Sequence, residues 1–257
     1  MNTEVDVEDH GAIRVLTINR PERRNALSVS TAETLRTELE KADSAADVGA
    51  VVLTGADGQF CAGGDADMIL DVINDDVDAA PLRLMNAFHR LVEAIWESPL
   101  PVVAAVSGVA YGGGFNIALA CDLIFCSADA RFCQVFLRRG LAPDVGGAYL
   151  LPRLVGLQRA KELMLLTPEI DAERAEKMGI VNAVLPDADA ASARAIAAAT
   201  ALAEGPTFAA ALTKRLINSS TTGNLHSALE LEAMTQAIAL RSQGVADRFA
   251  SLRLNRP

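Results

Sequence analysis

Two glycine-rich stretches about fifty residues apart, 60–65 (Phe60, Cys61, Ala62, Gly63, Gly64, Asp65) and 111–116 (Tyr111, Gly112, Gly113, Gly114, Phe115, Asn116), constrain this chain more than anything else in it. A main-chain N–H approaches a ligand oxygen closely only where no Cβ stands in the way. Two such groups aimed at one point stabilise a developing negative charge, so the pair reads as a two-donor oxyanion hole. The competing reading is that both are merely tight turns. Downstream, residues 140–147 carry Asp144 among glycines and Pro143, the natural place for the base that such a hole would serve.

The rest of the pattern predicts an α/β scaffold. Short apolar, β-branched runs at 13–18, 51–54, 102–106 and 123–126 read as strands, several of them buried on both faces. Helical spacing of Val29, Ala32, Leu35, Leu39 and Ala42 follows a capping-box pattern from Ser30 to Glu33, and Leu84, Phe88, Leu91 and Ile95 mark a second helix ending before Pro99. Strand and helix alternate to about residue 190, which places a core at 1–190. Beyond Pro186, residues 188–204, 206–218 and 225–241 read as helices with no strand between them, a helical region at 191–257. Such a tail cannot cover its own apolar face and is expected to pack on the core or on a neighbouring subunit.

Composition narrows the partners. With 51% hydrophobic and 22% charged residues, the 257-residue chain can bury a substantial core. Its net charge of −10 opposes general affinity for nucleic acid or anionic membranes, though the pairs Arg23–Arg24 and Arg138–Arg139 could form local basic patches or remain solvated. Cys61, Cys121, Cys126 and Cys133 form no C-x-x-C pair, and His10, His89 and His226 are scattered, so no metal site is expected. Free thiols and an acidic N-terminus without an apolar core suit a cytoplasmic protein without a signal peptide. The uncharged stretch 98–121 has the length of a membrane span, but its prolines and glycines predict a strand, a loop and a helix start instead. No third glycine completes a dinucleotide fingerprint at Ile117, and neither a P-loop nor a G-x-S-x-G elbow occurs.

Taken with residues 18–27, 152–156 and 179–182, the glycine-rich segments and the stretch around Asp144 resemble the enoyl-CoA hydratase/isomerase, or crotonase, superfamily over most of the chain. The resemblance implies a crotonase spiral of ββα units with a C-terminal helical subdomain, and a homotrimer or dimer of trimers. It implies an acyl-CoA thioester as substrate, with coenzyme A arriving as part of it and no permanently bound cofactor. The implied hole donors are the N–H groups of Gly64 and Gly113. Arg24, Ala26, Ala62, Asp65, Ala66 and Gly114 are the implied contacts to coenzyme A, Asp65 being equally readable as a helix N-cap. Tyr111 and Phe136 line the acyl pocket or belong to the core.

The acid–base inventory departs from the family's hydratases, which resemble this chain but carry two glutamates where it has Asn116 and Phe136. Neither an amide nor a phenyl ring exchanges protons near neutral pH. Asp144 remains, as in the isomerase branch that includes the ring-epoxide phenylacetyl-CoA and Δ3,Δ2-enoyl-CoA isomerases. The expected chemistry is a double-bond shift in which Asp144 takes a γ-proton from a 3-enoyl thioester and returns it at the α-carbon, with Asn116 hydrogen-bonding substrate or water. Asp144 as a turn or cap residue is the competing reading. Hydration, thioester hydrolysis, or a non-catalytic protein that binds RNA or acyl-CoA stay open. The Asp-rich run 71–78 suggests a solvated lid.

Overall fold

The computed structural model describes residues 3–75 and 80–254. In chain order its elements are β1 (Val5–His10), β2 (Ile13–Ile18), α1 (Val29–Ser44), β3 (Ala50–Gly55), α2 (Ala66–Asn74), α3 (Ala80–Glu97), β4 (Val102–Val106), β5 (Val109–Tyr111), α4 (Gly113–Ala120), β6 (Leu123–Ser127), β7 (Arg131–Cys133), α5 (Gly147–Val155), α6 (Leu157–Lys161), β8 (Ile170–Asp171), α7 (Ala172–Lys177), β9 (Ala183–Leu185), α8 (Ala188–Ala203), α9 (Thr207–Ser220), α10 (Leu225–Ala239) and α11 (Gln243–Leu254). All four expected strands are present. The acidic N-terminal segment, not read as a strand, forms the edge strand β1 by pairing antiparallel with β2.

Six strands form one sheet in the order β1-β2-β3-β4-β6-β9, and β5-β7-β8 form a second. The chain passes repeatedly from the first sheet to the second and then into a helix. β4 leads to β5 and α4; β6 leads to β7 and later to α5. β3 leads to Cys61, which bridges in parallel to Ala110 on β5, and then to α2. These are successive turns of a ββα spiral.

Burial follows the pleat. Val51, Leu53, Val102, Ala104 and Val106 join the main core with α1 and α3, while Val52, Val103, Ala105 and Phe125 face Ala195 and Ala199 of α8. Alternate residues serve opposite faces, and both faces are covered, which is why these runs are continuously apolar. α8 presents Ala191, Ala195 and Ala199 to the sheet, small residues that let it approach closely. The boundary expected near residue 190 falls inside this helix, whose alanines belong to the core.

The N-cap of α1 is Ser28, not Ser30: its Oγ accepts from the Thr31 N–H at 2.9 Å. Glu4 explains the shift, since its carboxylate accepts from Ser28 Oγ and Thr31 Oγ1 and ties the cap to the strand side. The uncharged stretch 98–121 contains β4, β5 and most of α4. Among the described residues no single helix is long and apolar enough to cross a membrane. Of the expected lid, α2 extends through Asn74, and residues 76–79 lie outside the described residues.

Lys214 of α9 is buried and anchors the helical region. Its Nζ donates to the carbonyls of Ile95 and Leu100 at 2.8 and 3.1 Å and pairs with Asp122 at 2.8 Å. Asp122 also accepts from the Val102 N–H at 2.7 Å. Burial raises the Asp122 carboxyl and Lys214 draws it back.

Candidate active site

Parallel pairing in the second sheet brings the glycine loops together. Cys61 donates to the Val109 carbonyl at 2.9 Å and accepts from the Tyr111 N–H at 3.0 Å, so the two strands run side by side, about 4.8 Å apart. Each is followed by its glycines: Gly63–Gly64 after Cys61, Gly112–Gly113 after β5. Gly63 has φ 99°, and a Cβ there would lie 2.8 Å from the Tyr111 carbonyl and 3.6 Å from the Gly113 nitrogen. The first loop therefore sits directly against the second. Leu27 donates to the Gly63 carbonyl at 2.7 Å and accepts from Asp65 at 2.9 Å, which clamps the loop from the other side. Among the described residues, neither the Gly64 nor the Gly113 N–H donates to a main-chain acceptor. Gly113 opens α4, so the partial positive charge of a helix N-terminus adds to its N–H.

Asp144 lies beside this point. Its neighbour Val145 packs on Gly113, Cγ2 standing 3.3 Å from where a Gly113 Cβ would be. On the other side, Gly146 meets Val92 of α3. The Asp144 Oδ1 is buried without a hydrogen-bond partner. Burial pushes its carboxyl up to about 6, against an opposing pull from His89 of α3 and from its own main-chain N–H. A carboxyl so placed exchanges protons near neutral pH, which suits an acid–base group. As an N-cap it fails: α5 is preceded by Gly146 and has no side-chain cap.

Several expected roles change. Asn116 does not offer its amide to substrate. It is fully buried on the first turn of α4, its Nδ2 donating to the Asp144 carbonyl at 2.8 Å and its Oδ1 accepting from Gln134 at 2.7 Å. Gly114 is needed for packing, since a Cβ there would fall 2.3–2.7 Å from Cys61 atoms. Asp65 is the N-cap of α2, accepting from Asp67 at 3.0 Å, and pairs with Arg20 at 2.7 Å. Burial works against its charge, but Arg20 and the helix amides outweigh it and hold the carboxyl below its ordinary range. Its N–H is spent on Leu27, and that of Ala62 on Arg24. The Tyr111 hydroxyl donates to Glu169, and burial with that carboxylate raises it to about 12.

Phe136 is buried with its ring edge toward Gly112, next to Gly113 in the second glycine loop. Arg24 is exposed, and its side chain makes no ion pair among the described residues, whereas Arg23 pairs with Asp67 and Arg138 is bound to Thr167. Ala66 is exposed at the start of α2, and Ala26 is buried with its carbonyl taken by Arg20. His89, Gln134 and Val145 were not singled out from sequence. His89 stood one turn before Val92 on a recognised helix, but nothing local showed that this face meets residues 144–146.

Among the described residues no group of His, Cys, Asp and Glu is arranged to hold a metal. The four cysteines are free and buried, and burial raises each thiol. A cavity of about 500 Å³ between α1, α2 and α3, lined by Val29, Arg36, Val72, Arg83 and Leu84, contains none of the hole or acid residues.

Comparison with known proteins places the chain in a family. The family model of enoyl-CoA hydratase/isomerase matches residues 8–246. A probable enoyl-CoA hydratase of Rhodobacter capsulatus is 38% identical over 225 residues, covering 87% of this chain and 84% of its own. The 1,2-epoxyphenylacetyl-CoA isomerase of Escherichia coli is 36% identical over 233 residues, covering 90% and 87%. The crystal structure of an enoyl-CoA hydratase from Polaromonas sp. JS666 superposes with a TM-score of 0.94 at 30% identity, covering 98% of this chain and 97% of that one. The chain belongs to the enoyl-CoA hydratase/isomerase family and has the crotonase fold.

The Asp144 environment makes a stability prediction. Its folded pKa of about 6 exceeds the value of 3.8 for a free side chain, so folding disfavours the charged form. That penalty is absent below about pH 4, develops as pH rises, and is complete above the folded pKa. The Asp144→Asn variant is expected to melt about 2–4 °C above the parent at pH 8 and to converge with it near pH 4. Calorimetry at both values checks this; a variant less stable at pH 8 would contradict it.

Proposed function

We propose that this member of an acyl-CoA-processing family is an enoyl-CoA isomerase that shifts a double bond through Asp144 alone. The observation that carries the reading is one unpartnered, elevated carboxyl beside two free main-chain donors, with an amide and a phenyl ring at the positions of the hydratase glutamates. Gly64 and Gly113 donate to the thioester oxygen, and losing one such donor typically costs about 3–4 kcal/mol of transition-state stabilisation.

The order of proton transfer follows from acidity and reverses the one expected from sequence. In a 3-enoyl thioester the γ-carbon is vinylic, whereas the α-carbon lies between the carbonyl and the double bond. Asp144 takes the α-proton, the C–H electron pair enters a dienolate whose oxygen the hole holds, and protonation by Asp144 at the γ-carbon leaves the 2-enoyl product. No water is consumed. Phe136 beside the hole keeps the site dry and disfavours a second ionised group. Exposure of Arg24, without an ion-pair partner among the described residues, supports it as the contact to the phosphates of coenzyme A, with the exposed Ala66 beside the approach.

A homotrimer or dimer of trimers accompanies this reading. Ile217, Leu225, Leu229, Met234, Ile238 and Leu240 on or just after α9 and α10 are all more than half exposed, an apolar surface that a second copy of the chain would cover. Light scattering is expected to give three or six times the 27.1 kDa chain mass. A 27.1 kDa species would remove the proposal. Buried free thiols support a reducing, cytoplasmic setting.

A panel of acyl-CoA thioesters separates the chemistries. Gain of conjugated-enoyl absorbance from a 3-enoyl-CoA is the expected result, with kcat/KM rising with pH and levelling above about 6. Asp144→Asn should lower kcat about 10²–10⁴-fold while still binding acyl-CoA. Loss of enoyl absorbance would indicate hydration and free thiol hydrolysis, and either as the main activity contradicts the proposal.

A further inference from the structure

The amide of Asn116 lies between two other groups of the site. Its Nδ2 donates to the Asp144 carbonyl, which also receives the Gly147 N–H at 3.0 Å, and its Oδ1 receives Gln134 Nε2. Asn116 and Gln134 are 0% and 1% exposed. Gly147 lies so close that a Cβ on it would come within 2.3–2.5 Å of the Asn116 amide. Gln134 follows β7, whose Cys133 carbonyl receives the Gly112 N–H at 2.8 Å. One hydrogen-bonded path thus runs from the end of β7, through α4, to the main chain of Asp144. Both ends of α4's first turn are committed: Gly113 to the hole and Asn116 to the acid.

We infer that Asn116 and Gln134 are positioning residues, a buried neutral amide bridge that sets the main chain of Asp144 against the helix supplying the second hole donor. The inference rests on Asp144 being the acid–base group. The bridge acts on the aspartate's backbone and leaves its carboxyl oxygen unengaged, so orientation is fixed without adding charge or a donor that would hold the proton. A carboxylate in place of the Asn116 amide would turn an acceptor toward the Asp144 carbonyl and introduce a second charge beside the first. Misplacement of a reacting group by about 1 Å costs on the order of 100-fold in rate.

The test compares Asn116→Ala and Gln134→Met with the parent in kcat and KM for a 3-enoyl-CoA, in affinity for a saturated acyl-CoA, and in melting temperature. Gln134→Met keeps the Asn116–Asp144 bond and serves if Asn116→Ala does not fold. The expected result is a kcat lower by about 10–100-fold in Asn116→Ala, a smaller loss in Gln134→Met, and KM and acyl-CoA affinity within about 3-fold of the parent. The midpoint of the kcat–pH profile should move in both, which a purely structural role would not produce. Folded variants with kcat within 2-fold of the parent, or with losses confined to KM or melting temperature, would overturn the inference. Asp144→Asn is assayed alongside: if it retains full turnover, the reading of Asp144 fails, independently of the bridge.

Discussion

Close approach of main chain to main chain, across parallel neighbours of the second sheet, is what the site depends on. Cys61 and β5 pair without an intervening side chain, and α4 begins so near Cys61 that Gly114 has no room for a Cβ. The Gly64 and Gly113 N–H groups follow on adjacent turns of the spiral, and neither donates to a main-chain acceptor among the described residues. Strand spacing sets the distance between them, and the clamp of Leu27 on Gly63 and Asp65 holds the loop in place. A Cβ at 63 would press on the Tyr111 carbonyl and one at 114 on Cys61, so either would push the two turns apart.

Two aspartates show how differently the fold can surround a carboxyl. Burial raises both carboxyls. Asp122 is offset by Lys214 and the Val102 N–H, and the result is a joint between the sheet, α3 and α9. Asp144 has its main chain held and one carboxyl oxygen left without a partner. The partners of Asp122 oppose the rise that burial causes, whereas Asp144 keeps a proton affinity near neutrality.

Residues and periodicity exposed β2, β3, β4 and β6, the main helices and both glycine loops, because each rests on a local signal: β-branched runs, helical spacing, and glycines where a Cβ cannot fit. Asp144 stood out for its neighbours in sequence. What the pattern could not show was where polar side chains end. Asn116 reads as a group for substrate until Gln134 and the Asp144 carbonyl are seen to use its amide, and Asp65, readable as a ligand contact or as a helix N-cap, is the cap of α2 and also pairs with Arg20, 45 positions away in sequence. His89 gave no local sign, since its relation to Asp144 arises from α3 packing against Gly146. β1 was hidden by its acidic, largely exposed face, which follows from being an edge strand. The α8 boundary was obscured because an alanine-rich helix reads alike as tail or core until a sheet is seen against it.

A single carboxyl working beside a two-donor hole leaves an isotopic signature that separates it from two-group or water-using chemistry. Turnover of a 3-enoyl-CoA carrying deuterium at the α-carbon, followed by mass spectrometry and NMR of the 2-enoyl product, reads it directly. Deuterium recovered at the γ-carbon, with no oxygen acquired from labelled water, is the predicted result. A product with no transferred deuterium and with oxygen from water would contradict the account.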